Sequence, residues 1–456
     1  MQRNGTMEKH RMIQRPEREF IRIAVPAVLE SLINVLITAI DTGMIAPLGA
    51  GAVSAVSLTT QPKLLFLSVF YALGTAVSIF VSQAMGKEDR EEANAYFHAV
   101  LRAAVVLSLI LGTALAVLAE PAMHLFSRQQ ETMALSVSFF RIIMAFMVFQ
   151  CVQIVLSATL RGIGETRATL ISGIFMAAAD LLLNYLLIEG HWGFPALGVV
   201  GNALGTAGGM IMSCAVCLFF LKRRGGFLTL KGILKKRGRQ PEVARNIRQK
   251  AGNTAFENLF TRIGFLISSV IVSTLPADET AVYFVGMILL NYTFAFGDGL
   301  QNAVVALTGR SMGKRQVGEV EGYVRQGLFA GTAAAAVLSI LYIVGARWFY
   351  GSYFPDASVV DRGARYNYIV AALTFLQILR IVNIAGMRGM GETALPRKIA
   401  TICVLIINPL SSWLLAVVFK LGVWGIWIAS LITQVVWFVA GFAGIRHCLV
   451  RLKKAD

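Results

Sequence analysis

Ionisable side chains inside long apolar stretches are where this chain can do chemistry, because a charge placed in hydrocarbon is costly unless it is paired, hydrated or used. The first such stretch, FIRIAVPAVLESLINVLITAIDTGM at residues 20–44, carries Glu30, Asn34 and Asp41. On a helix the three project within about 40° of one another, with Asp41 about 10 Å beyond Asn34 along the axis. Such a stripe has to face protein or water, which makes it a seat for a proton, a metal cation or a cationic ligand. TAFENLFTRIG at 254–264 supplies Glu257, with Arg262 on nearly the opposite face, so that either residue is free to pair across a bundle. AAADLLLN at 177–184 puts Asp180 and Asn184 on one helical face, and FGDGL at 296–300 sets Asp298 between two glycines.

A carboxyl group loses its charge on taking up one proton, and a low-dielectric setting disfavours the charged form. These acids can therefore exchange protons for cations. Sodium would instead need several oxygens, with Asp41, Asp180 and Asn184, or Glu257, as the candidate ligands. No other metal or cofactor is expected. The five histidines, at 10, 98, 124, 191 and 447, lie near segment boundaries or the amino terminus, and no Ser/His/Asp set accompanies them. Cys214 and Cys217 have no second pair or histidine at metal spacing, and read as packing residues. The chain therefore reads as a transporter rather than an enzyme. It has no ATP-binding cassette, so uphill movement would draw on an ion gradient.

The elements that must position these groups follow from composition. Of 456 residues, 56% are apolar and 15% charged, and twelve segments long enough to cross a bilayer centre near residues 32, 68, 107, 146, 178, 208, 262, 294, 333, 373, 406 and 437. The runs are too long and too irregular for strands. An all-α polytopic membrane protein is expected, with no cleavable leader. The net charge of +17 points to orientation rather than to nucleic acid. Lys and Arg gather at the amino-terminal segment, at every second connection or its helix borders and at the tail; Lys63, Arg141 and Arg262 fall within spans, leaving Arg128, Arg347, Arg362, Arg365 and Lys420 for the other side. That is the positive-inside pattern of a plasma-membrane protein with both termini cytoplasmic.

The chain also repeats itself. ATLRGIGETRATL at 158–170 returns as AGMRGMGETALPR at 385–397, so that Arg161 and Arg388 lie 227 positions apart. MGK at 85–87 returns at 312–314 and VLE at 28–30 as AFE at 255–257, with the same offset; LGV at 197–199 returns at 421–423. Six spans per repeat is an even number, so corresponding helices run in the same direction, as parallel repeats. The expected organisation is an amino-terminal segment 1–19, a six-helix lobe 20–221, a cytoplasmic linker 222–250 with eleven basic residues and one acid, a second lobe 251–449 and a tail 450–456. Arg161, Gly162, Gly164 and Glu165, with Arg388, Gly389, Gly391 and Glu392, read as cytoplasmic turns: glycine permits the reversal, while Arg and Glu pair or meet lipid headgroups. A phosphate loop is ruled out by the missing strand and Gly-Lys-Ser/Thr ending. Pro26, Pro276, Pro396 and Pro409 are candidate helix breaks.

With DTGMIAPLG at 41–49, SQAMGK at 82–87 and both RGxGET turns, the chain resembles, over residues 16–450, the MATE family of multidrug and toxic compound extrusion transporters, and most of all its bacterial members. The resemblance implies two six-helix lobes around a central cavity and export, by a monomer, of organic cations or amphipathic compounds in exchange for protons or sodium. It implies that Asp41 is the coupling acid of the first helix, and Glu257 looks like the seventh-helix carboxylate of the sodium-associated branch. Asp180 falls where the family often has Asn, and Asn184 where it can have Asp. The tenth span offers Asn367, Gln377, Arg380 and Asn383 but no mid-span acid. A lipid-linked precursor flippase of the same superfamily is the alternative; its polyanionic substrate would want a cationic cavity, whereas the mid-span charges here are mostly acidic, with Arg141, Arg262 and Arg380 as exceptions.

Overall fold

The computed structural model describes residues 2–124, 130–224, 226–233 and 240–455. Twelve helices among them are long and apolar enough to cross a membrane. They are α1 (Gln2–Ile45), α2 (Ala50–Gly86), α3 (Arg90–Val117), α4 (Gln130–Gly162), α5 (Thr166–Ile188), α6 (Val199–Arg224), α7 (Gln240–Ser273), α8 (Ala277–Gly313), α9 (Val317–Val344), α10 (Ala357–Gly389), α11 (Ala394–Val418) and α12 (Gly422–Ala455). Residues 225 and 234–239 of the expected basic linker, and residues 1 and 456 of the expected terminal segments, lie outside the described residues.

The repeat read from four short motifs extends to the helix limits. α2 and α8, α3 and α9, and α4 and α10 begin and end at positions separated by the same 227, as do two short helices, Ala119–His124 and Ala346–Gly351. The reason is local and visible at the turns. After α4 and after α10, Gly164 and Gly391 take left-handed backbone, φ +84° and +85°. The next amide donates five residues back, Glu165 N to Leu160 O (2.9 Å) and Glu392 N to Met387 O (2.9 Å). This is the helix stop that glycine makes without steric cost. Following α2 and α8 the same closure runs through Glu88 and Arg315, at φ 59° and 58°. There Asp89 N reaches Ala84 O and Gln316 N reaches Ser311 O.

The chain divides into two compact units, Leu29–Gly252, and Met1–Val28 with Asn253–Asp456. Lipid is as apolar as a leucine side chain, so helices within each unit associate through close packing and interhelical hydrogen bonds. In the first unit Phe70, Phe97, Phe140, Met123 and Met144 form the buried centre. The start of the linker is tied down there: Asn94 of α3 donates to Phe227 O (3.0 Å) and accepts from Thr229 N (2.8 Å). In the second unit, Tyr350, Trp427 and Tyr283 anchor one cluster, and Met387, Trp437 and Ile445 another. The start of α1 joins this unit through Glu19, which accepts from Arg310 of α8 (2.7 Å) and Tyr323 of α9 (3.0 Å).

The prolines separate into two kinds. α1 runs on through Pro26, while Pro276 caps α8 and Pro396 sits in the first turn of α11, where no intrahelical N–H is missed. Pro409 does perturb its helix: α11 widens into π-turns at Cys403–Ile407 and Trp413–Val418 on either side of it. The Asn408 side chain there accepts from Ser412 (3.1 Å) and from Ser268 of α7 (3.3 Å).

Candidate functional site

The site in the first unit is built from a glycine face. Residues 205–209 of α6 read GTAGG. A Cβ on Gly205 would overlap Asn184 Oδ1, and one on Gly209 would come within 3.0 Å of the Asp180 Cβ. Without those methyl groups α5 lies against α6 closely enough to bury Asp180 and Asn184, 1% and 0% exposed. Asn184 Nδ2 donates to Asp41 Oδ1 at 3.2 Å and to Asp180 Oδ1 at 3.3 Å. Asp41 and Asp180, both bonded by Asn184, lie in each other's field, with Thr206 beside Asp180. Lys63 of α2, next to Pro62, lies in the field of both acids.

Two neighbouring carboxyls disfavour double ionisation, and one proton on the pair relieves the repulsion. With one proton on the pair and Lys63 charged, the cluster is neutral, the state that low-dielectric surroundings favour. A cation that enters keeps it neutral if the shared proton leaves. The arrangement can therefore exchange one positive charge for another.

The stripe expected on α1 divides in two. Asn34 is exposed, and its carbonyl accepts from the Thr38 hydroxyl (3.0 Å). Glu30, about three turns before Asp41 on α1, goes elsewhere: Arg161 Nη1 donates to its Oε1 at 2.8 Å and Thr169 Oγ1 to its Oε2 at 2.5 Å. The second unit repeats the pairing. Arg388 Nη2 meets Glu257 Oε1 at 2.9 Å, and Arg388 Nη1 donates to Gln301 Oε1 at 2.9 Å. Glu257 thus takes the turn arginine on that oxygen, while Arg262 on the opposite face is half-buried. Asp298 is exposed and accepts from Gln301 (3.1 Å). Gln377 is buried and donates to Leu290 O at 3.5 Å.

The turn motifs are therefore more than connectors. The glycine after each arginine lets the backbone come within contact of a neighbouring helix. A Cβ on Gly162 would stand 3.1 Å from Ser78 O, and one on Gly389 3.0 Å from Val305 O. Ser78 and Val305 are again 227 apart. Each arginine is thereby held where it reaches the acid of its own unit. The sequence carried a signal for this, since Glu30 to Glu257 and Arg161 to Arg388 share one offset, but the offset does not say that the acid and the arginine touch. Lys63 was legible only as a lysine inside an apolar span.

The MatE family model matches residues 26–186 and again 254–414. A probable multidrug resistance protein NorM of Thermotoga maritima is 24% identical over 416 residues, 91% of this chain and 89% of that protein. An uncharacterized transporter, YisQ, of Bacillus subtilis is 22% identical over 390 residues, 85% of each chain. Among solved structures, a crystal structure of MATE in complex with MaD3S superposes with a TM-score of 0.89 at 17% identity, covering 96% of this chain and 97% of that one.

Proposed function

The chain belongs to the MatE family, and from that premise we propose that it is a secondary active antiporter that exports organic cations or amphipathic toxic compounds in exchange for protons or sodium ions. The observation that carries the reading is the Asn184 bridge between Asp41 and Asp180 on apolar helices, with Lys63 in the field of both acids. Asp41 gives up its ion as the cationic substrate arrives, and Asp180 holds the shared proton in the complementary state. Asn184 bridges the two acids in both states, and Lys63 supplies the charge that keeps one of them ionised. Glu30 and Glu257, each tied to a turn arginine, hold helices in place and do not exchange ions; sodium, if it is the ion, binds at the Asp41 cluster.

In the cell the protein is a monomer of the plasma membrane with both termini in the cytoplasm, its lobes spanning 20–221 and 251–449 and joined by the basic linker at 222–250, which rests on anionic lipid headgroups. Accumulation of a cationic dye in everted membrane vesicles tests the reading. Asp41→Asn is expected to abolish gradient-driven accumulation while inserting at wild-type levels; accumulation at the wild-type rate would sink the assignment.

A further inference from the structure

Arg141 lies within a span, is exposed, and takes no part in the exchange just described. Its depth decides what it meets. From Arg141 to the end of α4 at Gly162 is 21 residues, about 31 Å by helical rise, and the hydrocarbon core is about 30 Å thick. The guanidinium therefore stands where acyl chains give way to headgroups, at the end of α4 away from the turn motif. Neighbouring α3 finishes at the same level: Arg141 Nε donates to Ala116 O at 3.4 Å, one of the last carbonyls of that helix. Among the described residues no carboxylate pairs with Arg141.

The second unit repeats the position with the residue types exchanged. Exposed positions 134, 138, 141 and 145 of α4 return as exposed positions 361, 365, 368 and 372 of α10, each 227 further on. Where α4 has Ser138 and Arg141, α10 has Arg365 and Tyr368. Each unit thus sets one guanidinium and one hydroxyl three residues apart on one helical face. The adjoining helix keeps the same register in both units. A Cβ on Gly112 of α3 would stand 3.0 Å from Met144 O, and Ser339 Oγ of α9 donates to Ala371 O at 2.8 Å, positions again 227 apart. Asp361, one turn before Arg365, is taken by Arg347 Nη2 at 3.2 Å. Tyr368, 64% exposed, carries a polar tip on an apolar body, as side chains at a membrane boundary do. The surface beside these groups is apolar: Leu109, Ile110 and Val117 of α3 and Ile340, Leu341 and Val344 of α9 are all exposed.

We propose that Arg141 with Ser138, and Arg365 with Tyr368, each bind the phosphodiester of a membrane phospholipid, in the leaflet at the ends of α4 and α10 away from the turns. A phosphate oxygen accepts from the guanidinium in a charge-assisted bond. The Ser138 hydroxyl, which donates to Ala134 O at 2.8 Å, turns its proton to the phosphate when one is present, since a hydroxyl rotates freely. Acyl chains of the same molecule cover the apolar residues alongside. A free phosphate ion would meet the arginine but leave those residues uncovered, and it pays the full desolvation cost of sitting at the hydrocarbon boundary. The two sites require only that these helices span a bilayer, and they stand whichever ion or substrate the protein moves.

The test is photolabelling of the purified full chain in dodecyl maltoside by phosphatidylglycerol with a diazirine in one acyl chain, against the diacylglycerol of the same chains. Labelled peptides are mapped by mass spectrometry. On peptides covering 106–118 and 134–149, and on their counterparts in α9 and α10, wild type is expected to take up the phospholipid about tenfold more than the diacylglycerol, the discrimination of one hydrogen bond to a charged group. Arg141→Gln should lose that excess on the α3 and α4 peptides alone, and Arg365→Gln on the α9 and α10 peptides alone, so the untouched site reports folding in each variant. Arg141→Lys, which keeps the charge, should retain part of the excess. Inorganic phosphate in large excess should leave the labelling unchanged. Equal labelling by the two probes in wild type, a comparison that needs no variant, would overturn the proposal. So would an unchanged excess in Arg141→Gln, or loss of labelling on adding inorganic phosphate.

Discussion

Arg161→Met isolates the ion pair that the turn motif makes. The pair is interior: the Arg161 and Glu30 side chains are 16% and 7% exposed, with Nη1 and Oε1 2.8 Å apart. Removing one member of such a pair leaves an uncompensated charge in a low-dielectric setting, which costs about 3–5 kcal/mol. Glu30→Gln alone strands the guanidinium and costs a similar amount, eased by the greater exposure of Arg161. The double variant removes both charges, and a neutral pair of similar volume is close to isoenergetic with the ion pair. The cycle should therefore return a coupling energy of at least about 6 kcal/mol, the two single losses set against a double loss near zero and well above the few tenths expected of independent sites. The assay is reversible unfolding in mixed micelles, followed by circular dichroism, for wild type, the two single variants and the double. A loss below about 1 kcal/mol in Arg161→Met, with additive effects in the double variant, would refute the view that the turn arginines are buried ion-pair partners. Arg388 and Glu257, at 9% and 7%, should behave alike.

Three further outcomes follow from the same geometry. Gly389→Ala should destabilise more than Gly162→Ala, because the added methyl overlaps Thr308 Oγ1 in the first case and meets Ser78 O at 3.1 Å in the second; unfolding midpoints compare them directly. Gly205→Val should separate α5 from α6 and lower transport by about tenfold or more without preventing insertion, since a misplaced reacting group is enough for a loss of that size; vesicle dye accumulation reads it. Lys63→Met removes the counter-charge of the Asp41 and Asp180 pair, so the pair should take up a second proton. Dye binding should then fall at pH 6 and recover at pH 8, and a pH profile identical to wild type would contradict the charge balance.

What the sequence made legible is what local geometry encodes. The spans follow from apolar length, and the 227-residue repeat was visible because a left-handed residue is needed at the same place in each copy. Gly164 and Gly391 meet that need as glycines. Glu88 and Arg315 meet it as ordinary residues, so those turns showed only through the neighbouring MGK. Spacing within α5 put Asp180 and Asn184 on one face, but it could not show that this face meets Asp41 on α1. The partners of Glu30 and Glu257 were not, because each lies 131 residues away in sequence and its reach depends on a glycine contact between helices. The same limit explains Asn34. Its helical angle puts it with Asp41, but α5 presents its polar groups to Asp41 and not to Asn34. Arg380 looked like an exception to an acidic interior; only the folded arrangement shows its guanidinium stacked 3.8 Å from the centre of the Trp437 ring.

The central claim, that Asp41 exchanges a coupling ion for substrate, is tested most directly by transport in proteoliposomes under separately imposed proton and sodium gradients, with organic cations and lipid-linked sugars as substrates. Wild type is predicted to move organic cations against their own gradient under one of the two ion gradients and to leave lipid-linked sugars in place, and Asp41→Asn to move organic cations under neither. Gradient-driven transport by Asp41→Asn at the wild-type rate, or movement of lipid-linked sugars alone, would contradict it.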